Sequence, residues 1–262
     1  MTAPIQEISA AVHMLTIWGA NVFFVRSGAG WALIDTAWAG CARPILKAAE
    51  ALFGSGARPA SILLTHGHPD HAGSAPVLAR TWDLPIHVHP EELPYVNGTK
   101  PYPPPEYPKA DPPGGFMALY YPVEWALTHW LMPLLPPQDL GRGAARALEP
   151  RAGVPGLADW ECIPTPGHTP GHAAYYRRSD RVLITGDALL TVNLDSFWDT
   201  LRGIQKLARP VSAVTWSWKA ARESVARMAA LEPRVLATGH GLPLTGPGTA
   251  AAVRAFSERF SA

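Results

Sequence analysis

Cysteine is nearly missing from this chain of 262 residues: Cys41 and Cys162 stand alone, with no CxxC spacing. They give no disulfide framework and read as small buried hydrophobes. Charge is sparse as well. Asp, Glu, Lys and Arg make up 16% of the residues, below the usual quarter, and the formal net charge is +1. With no basic stripe, nucleic acid is not expected as a partner. No apolar run is long enough to span a bilayer. The N-terminus, Met1-Thr-Ala-Pro-Ile-Gln-Glu7, lacks the charged-then-apolar order of a secretory signal. These absences predict a cytoplasmic protein whose partner is a small-molecule substrate. The length suits one large layered α/β domain.

What the chain does have is histidine, concentrated in one place. Thr65-His-Gly-His-Pro-Asp-His-Ala-Gly73 puts His66, His68, Asp70 and His71 within six positions. The apolar lead-in Ser61-Ile-Leu-Leu64 reads as a strand, and residues 74–82 as a helix. Pro69 pushes His68 towards an extended conformation and suits a first helical turn. One helix face cannot gather positions 66, 68, 70 and 71, but a turn wrapped round a metal can. Imidazole and carboxylate together suit zinc or a similar first-row ion.

Upstream, Val12 to Ile17, Val22 to Arg26 and Trp31 to Asp35 read as antiparallel strands, with Gly19-Ala-Asn21 and Ser27-Gly-Ala-Gly30 as turns. Asp35 closes the third strand, either as a capping residue or as a carboxylate that orients a metal-bound His from behind. Residues 43–53 have helical spacing and end at Gly54. His87 and His89 lie two apart on the strand Pro85 to Pro90; one strand face supplies too few ligands, so ordinary alternation accounts for them.

Between 92 and 150 the composition changes. Eleven prolines fall in 101–137, among Tyr102, Tyr107, Phe116, Tyr120, Tyr121, Trp125 and Trp130. Proline at that density forbids long regular elements over 101–113. Yet the stretch from Val123 to Leu135 is too apolar to stay solvated. The interval is therefore expected to be a cap over the site or a dimerisation arm of a homodimer. As a cap it would offer Tyr120, Trp125 and Trp130 to an apolar substrate tail.

The second half returns to strands that end in turns. Glu161-Cys-Ile-Pro-Thr165 leads into Pro166-Gly-His-Thr-Pro-Gly-His172, which places His168 and His172 in a Gly/Pro turn. Arg181-Val-Leu-Ile-Thr-Gly-Asp187 and Arg234-Val-Leu-Ala-Thr-Gly-His240 are near copies, each presenting a ligand-type side chain beside a glycine. Glycine there allows a sharp turn and close approach. Trp216 to Leu231 is an amphipathic helix, and 249–260 a short terminal one.

The motifs His66-x-His68-x-Asp70-His71, His168 in Pro-Gly-His-Thr-Pro-Gly-His, Asp187 in Thr-Gly-Asp and His240 in Thr-Gly-His-Gly together resemble the metallo-β-lactamase superfamily. The resemblance covers most of the chain outside 92–150. It implies an α/β fold, the four-layer αββα sandwich, with a dinuclear metal site at the sheet edges. His66, His68 and His168 would hold one metal, Asp70, His71 and His240 the other, and Asp187 would bridge them. Two divalent ions are implied, zinc first, with iron or manganese as alternatives.

Three neutral imidazoles leave a fourth position open, as in catalytic sites. A water shared by two cations drops from a pKa of 15.7 to about 7 and becomes a nucleophile for an ester, thioester or lactone carbonyl. Asp70 then either steers that water and relays its proton, as a catalytic group, or is a ligand only. His172 fills the turn or supports the ligands from behind. Among relatives, glyoxalase II-like thioesterases add a helical domain after the last His, where 22 residues follow here. Acyl-homoserine lactonases place a Tyr three residues beyond the bridging Asp, where this chain has Leu190. The alternatives are a mononuclear non-haem iron persulfide dioxygenase and a non-catalytic binding protein on the same fold.

Overall fold

A computed structural model describes residues 4–106, 143–149 and 153–261. The first half of the chain forms one seven-stranded sheet: β1 (Gln6–Ser9), β2 (Val12–Ile17), β3 (Ala20–Ser27), β4 (Gly30–Ile34), β5 (Ser61–Leu63), β6 (Ile86–Val88) and β7 (Ala145–Ala147), in that spatial order. Strands β1 to β4 run antiparallel, and β4 to β7 pair in parallel. The second half forms β8 (Trp160–Pro164), β9 (Ala173–Arg177), β10 (Val182–Ile184), β13 (Val235–Ala237) and β14 (Leu244–Thr245), ordered β14-β13-β10-β9-β8. A separate ribbon pairs β11 (Leu190–Val192) with β12 (Gln205–Ala208).

The strands are apolar on both faces because each sheet is covered twice. In β3, Val22 and Phe24 point to an outer layer, while Phe23 and Val25 point to the space between the sheets. In β10, Leu183 faces outward, and Val182 and Ile184 face the first sheet. Helices α1 (Ala42–Phe53) and α3 (Ala75–Trp82) cover the first sheet through Ile45, Ala49, Leu78 and Trp82. Helices α6 (Trp218–Ala230) and α7 (Thr249–Ser261) cover the second through Val225, Met228 and Val253. The layers are helix, sheet, sheet, helix, as expected from the sequence.

Boundaries shift by a few residues. The strand into the His-rich turn stops at Leu63, and Pro69–Ala72 forms its own single turn, α2, ahead of α3. The interval 92–150 is not wholly an insertion on the body. Helix α4 (Leu93–Val96) follows β6 directly, and β7 completes the edge of the first sheet. Ala145-Arg-Ala147 carries no β-branched residue; pairing with β6 makes it a strand where local preference does not. Helix α5 (Phe197–Arg202) and its β11/β12 ribbon were not anticipated. Among the described residues no helix is long and apolar enough to cross a membrane.

Candidate metal centre

Every side chain of the centre leaves the C-terminal end of a strand or a turn beside one. His66 and His68 follow β5. His68 is extended, at φ −69° and ψ 151°, and Pro69 opens α2, which carries Asp70 and His71. The β8–β9 turn supplies His168 and His172, the turn after β10 supplies Asp187, and the turn after β13 supplies His240. One sheet thus contributes four of these residues and the other contributes four.

Two groups result, either of which could hold a metal ion: His66, His68 and His168; and Asp70, His71, Asp187 and His240. In the first, His66 Nε2 lies 3.1 Å from His68 Nδ1, and His168 Nε2 lies 2.9 Å from the same atom. In the second, His71 Nε2 and His240 Nε2 are 3.4 Å apart. Asp70 Oδ2 is 3.2 Å from His240 Nε2 and 3.6 Å from His71 Nε2. Asp187 touches both groups. Its Oδ1 is 3.3 Å from His71 Nε2, and its Oδ2 is 3.3 Å from His240 Nε2 and 3.6 Å from His168 Nε2.

These spacings fit a cation. Ligand nitrogens about 2.0–2.1 Å from a tetrahedral ion stand about 3.3 Å from one another. Two nitrogens also crowd the single His68 Nδ1, more than ordinary hydrogen bonding between neutral rings needs.

The backs of the rings are held so that the faces stay free. His71 Nδ1 meets Asp35 Oδ2 at 2.9 Å, His240 Nδ1 meets the Gly19 carbonyl at 2.8 Å, and His66 Nδ1 meets Thr65 Oγ1 at 3.1 Å. In the neutral ring a proton on Nδ1 leaves Nε2 as the inward-facing nitrogen. Asp35 does more than cap. It sits at φ +60°, a region Asp tolerates better than most residues, and accepts from both the Thr65 N–H and the Thr65 hydroxyl at 2.8 Å. His172 does not face the groups. Its Nδ1 meets Thr165 Oγ1 at 2.8 Å, and its Nε2 accepts from the Asp187 N–H at 3.1 Å. Burial drives its pKa down to about 3, so it stays a neutral acceptor.

The electrostatics of the two groups differ. Burial, then the positive charge neighbouring rings would carry, holds His66 well below the ordinary histidine value; burial likewise lowers His168 and His68. In the second group burial also opposes charge, but carboxylates win. Asp187, Asp70 and Asp35 raise His71 well above its usual value, and Asp187 and Asp70 carry His240 up to about 10. One group keeps bare lone pairs ready; the other stabilises positive charge.

The chain matches the metallo-beta-lactamase superfamily over residues 15–240. It belongs to that superfamily. It is similar to the probable metallo-hydrolase YflN of Bacillus subtilis, 37% identical over 244 residues, covering 92% of this chain and 87% of YflN. Two solved structures share the superfamily fold. The metallo-beta-lactamase family protein TTHA1429 of Thermus thermophilus has a TM-score of 0.61 at 23% identity, covering 97% of this chain and 79% of that one. TTHA1623, in a di-iron-bound form, has a TM-score of 0.53 at 29% identity, covering 86% and 89%.

Of the residues singled out from sequence, the superfamily fold brings His66, His68, Asp70, His71, His168, Asp187 and His240 together, with Asp35 and His172 behind them. Tyr120, Trp125 and Trp130 lie outside the described residues. His87 and His89 join neither group. Two supporting residues were missed. Asn21, read as part of a turn, lies inside β3, where its Nδ2 donates to the carbonyls of Thr238 and Gly241 at 2.8 Å and pins the His240 turn. A lone polar residue at the head of an apolar run was the available signal. Glu92 is buried beneath the first group. It follows Glu91 and has nothing local to mark it out.

Proposed function

We propose that this chain is a two-cation hydrolase that opens an ester, thioester or lactone bond of a small molecule. The observation that carries this reading is Asp187, whose two oxygens reach the nitrogens of both groups at once. A carboxylate that faces both groups is the natural bridge for a pair of cations, whereas a single ion would use it from one side only.

His66, His68 and His168 would hold one cation, Asp70, His71 and His240 the other, and Asp187 both. When bound, such ions supply Lewis acidity and bring the pKa of water from 15.7 to about 7. The protein's own groups do the rest. The Asp70 carboxylate has 18% of its side chain exposed, whereas His71 and His168 have none. It is the more exposed of the two carboxylates in the set, and so the one that can meet an incoming water, orient it and accept its proton. Asp35 keeps His71 in one tautomer, and His172 keeps the Asp187 backbone in place. Leu190, three residues beyond Asp187, is fully buried in β11, so no phenol orients a carbonyl from that position.

The reading is tested by counting metals in the purified protein and assaying aryl esters, lactones, thioesters, a chromogenic cephalosporin and phosphodiesters. Two ions with carbonyl-ester, thioester or lactone turnover support it. One oxygen-reactive iron would replace it with the dioxygenase, and two ions with no turnover on the panel would leave a binding protein.

Two outcomes concern stability and support of the centre. Each ion held at a hundredfold excess over its dissociation constant stabilises the native state by about 2.7 kcal/mol. Stripping both with a chelator should therefore lower Tm by roughly 10–20 °C, reversed on adding metal. Differential scanning calorimetry reads this directly; an unchanged Tm would mean nothing was bound. Asp35→Asn keeps the shape but removes the charge behind His71. Metal affinity should fall about 10–100-fold, measured by chelator competition, and an unaltered affinity would leave Asp35 with a capping role alone.

A further inference from the structure

The first group is anomalous in charge. Its three side chains, His66, His68 and His168, are all neutral donors, whereas the second group has Asp70 to itself and shares Asp187 with the first. Beneath the first group lies a carboxylate that belongs to neither. Glu92 is fully buried. Its Oε1 accepts the Gly67 N–H at 2.9 Å and the hydroxyl of Tyr102. Its Oε2 accepts the Gly171 N–H at 2.9 Å and the Thr169 hydroxyl at 2.9 Å.

The positions of these donors matter. Gly67 lies between His66 and His68, Thr169 follows His168, and Gly171 precedes His172. One carboxylate therefore ties the loop from the first sheet to the loop from the second, the two loops that together make the three-histidine group. Tyr102 also packs edge-on against the His68 ring, at 5.1 Å between centroids. The contact is close enough to exclude side chains. A Cβ at Gly171 would lie 2.1 Å from the Glu92 nitrogen, and one at Gly67 would lie 2.6 Å from Val96. All four polar partners can be donors, the two backbone N–H groups necessarily so, which suits an ionised carboxylate.

We propose that Glu92 is the positioning residue of the three-histidine group, clamping its two loops and adding buried negative charge beneath three neutral rings. This rests on the two-cation reading. Burying an anion is costly unless it is fully bonded or paired. A divalent ion held by three neutral rings nearby complements that charge, and the four donors fix the carboxylate in the meantime. The clamp acts on the first group; the second has its own supports in Asp35 and Asn21.

The test is zinc binding by competition against a chromophoric chelator, with metal counted in the wild type, Glu92→Gln, His168→Ala and the double variant. Glu92→Gln turns one acceptor into an N–H aimed at donors. It should weaken one of the two ions by about 10–100-fold and leave the other as in the wild type. His168→Ala should weaken the same ion, and adding Glu92→Gln to it should not loosen the ion that remains. Both ions weakened alike, or neither weakened, would overturn the proposal, because a general packing role does not choose between them. If Glu92→Gln does not fold, Tyr102→Phe removes one of the four donors and should weaken that same ion several-fold; no change there overturns the proposal equally. A single ion in the wild type would mark failure of the two-cation reading itself. The clamp would then stand only if Glu92→Gln still weakened that ion.

Discussion

Asp187→Ala is expected to bind less metal and to turn over ester substrates at least about a hundredfold more slowly, the upper range even for lost supports of a metal ligand. The reason is geometric. Asp187 Oδ1 faces His71, and Oδ2 faces both His240 and His168, so alanine leaves both groups short of a ligand. On the two-cation reading it also removes the anion between the two ions, adding their mutual repulsion to the ligand loss. A second effect follows in the empty protein. The high pKa values of His71 and His240 depend on Asp187, with Asp70 also contributing to both, so these rings should lose protons more readily in the variant. Metal analysis and single-substrate kinetics decide the matter. Wild-type metal content with near-normal turnover would end the two-cation reading.

Gly239→Ala should be nearly as damaging although glycine binds nothing. A Cβ at position 239 would lie 2.0 Å from Asp187 Oδ1, 2.7 Å from His71 Cε1 and 3.1 Å from the Gly186 carbonyl carbon. The backbone cannot back away easily. The Gly239 N–H donates to Gly186 O at 2.8 Å, and its carbonyl accepts from the Asn21 N–H at 2.8 Å. The added methyl must therefore displace Asp187 or His71, and a shift of about 1 Å at a reacting site costs on the order of a hundredfold. Circular dichroism should show a folded protein, while metal counts and kcat fall together. Full activity in Gly239→Ala would mean the Asp187 carboxylate is not needed where the structure holds it.

The layered fold and the seven converging side chains were legible because both are written locally. Residues 12–34 alternate short apolar runs with turn residues, and each metal-type side chain closes a strand or sits in a Gly- or Pro-rich turn. Such turns need particular residues, so their letters carry information. The near-identical Thr-Gly-Asp187 and Thr-Gly-His240 tips come from β10 and β13, which lie side by side in parallel, so their similarity mirrors equivalent positions. What escaped was written non-locally. Ala145-Arg-Ala147 is a strand only because β6 offers it an edge. Asn21 looks like turn chemistry until the His240 loop arrives from more than two hundred positions away. Glu92 has the local signature of a surface acid, and only the meeting of two distant turns gives it four donors. Side chains that act on other loops leave no spacing rule behind.

The division of the centre between the two sheets also has a temporal side. His68 and His168 meet across 100 positions of chain, and Asn21 and Thr238 across 217. Contacts of such separation form slowly, because a long loop must close before they yield any stabilisation. During synthesis the His-rich turn after β5 emerges early, with none of its partners from the second sheet yet made. It then offers only a few histidines and an aspartate on a short turn, with Asp187 and His240 still to come. On the two-cation reading, neither ligand set is complete before Asp187, and the second also waits for His240 and for the sheets to close face to face. On that reading, metal capture is the seal on a finished fold rather than the seed of one.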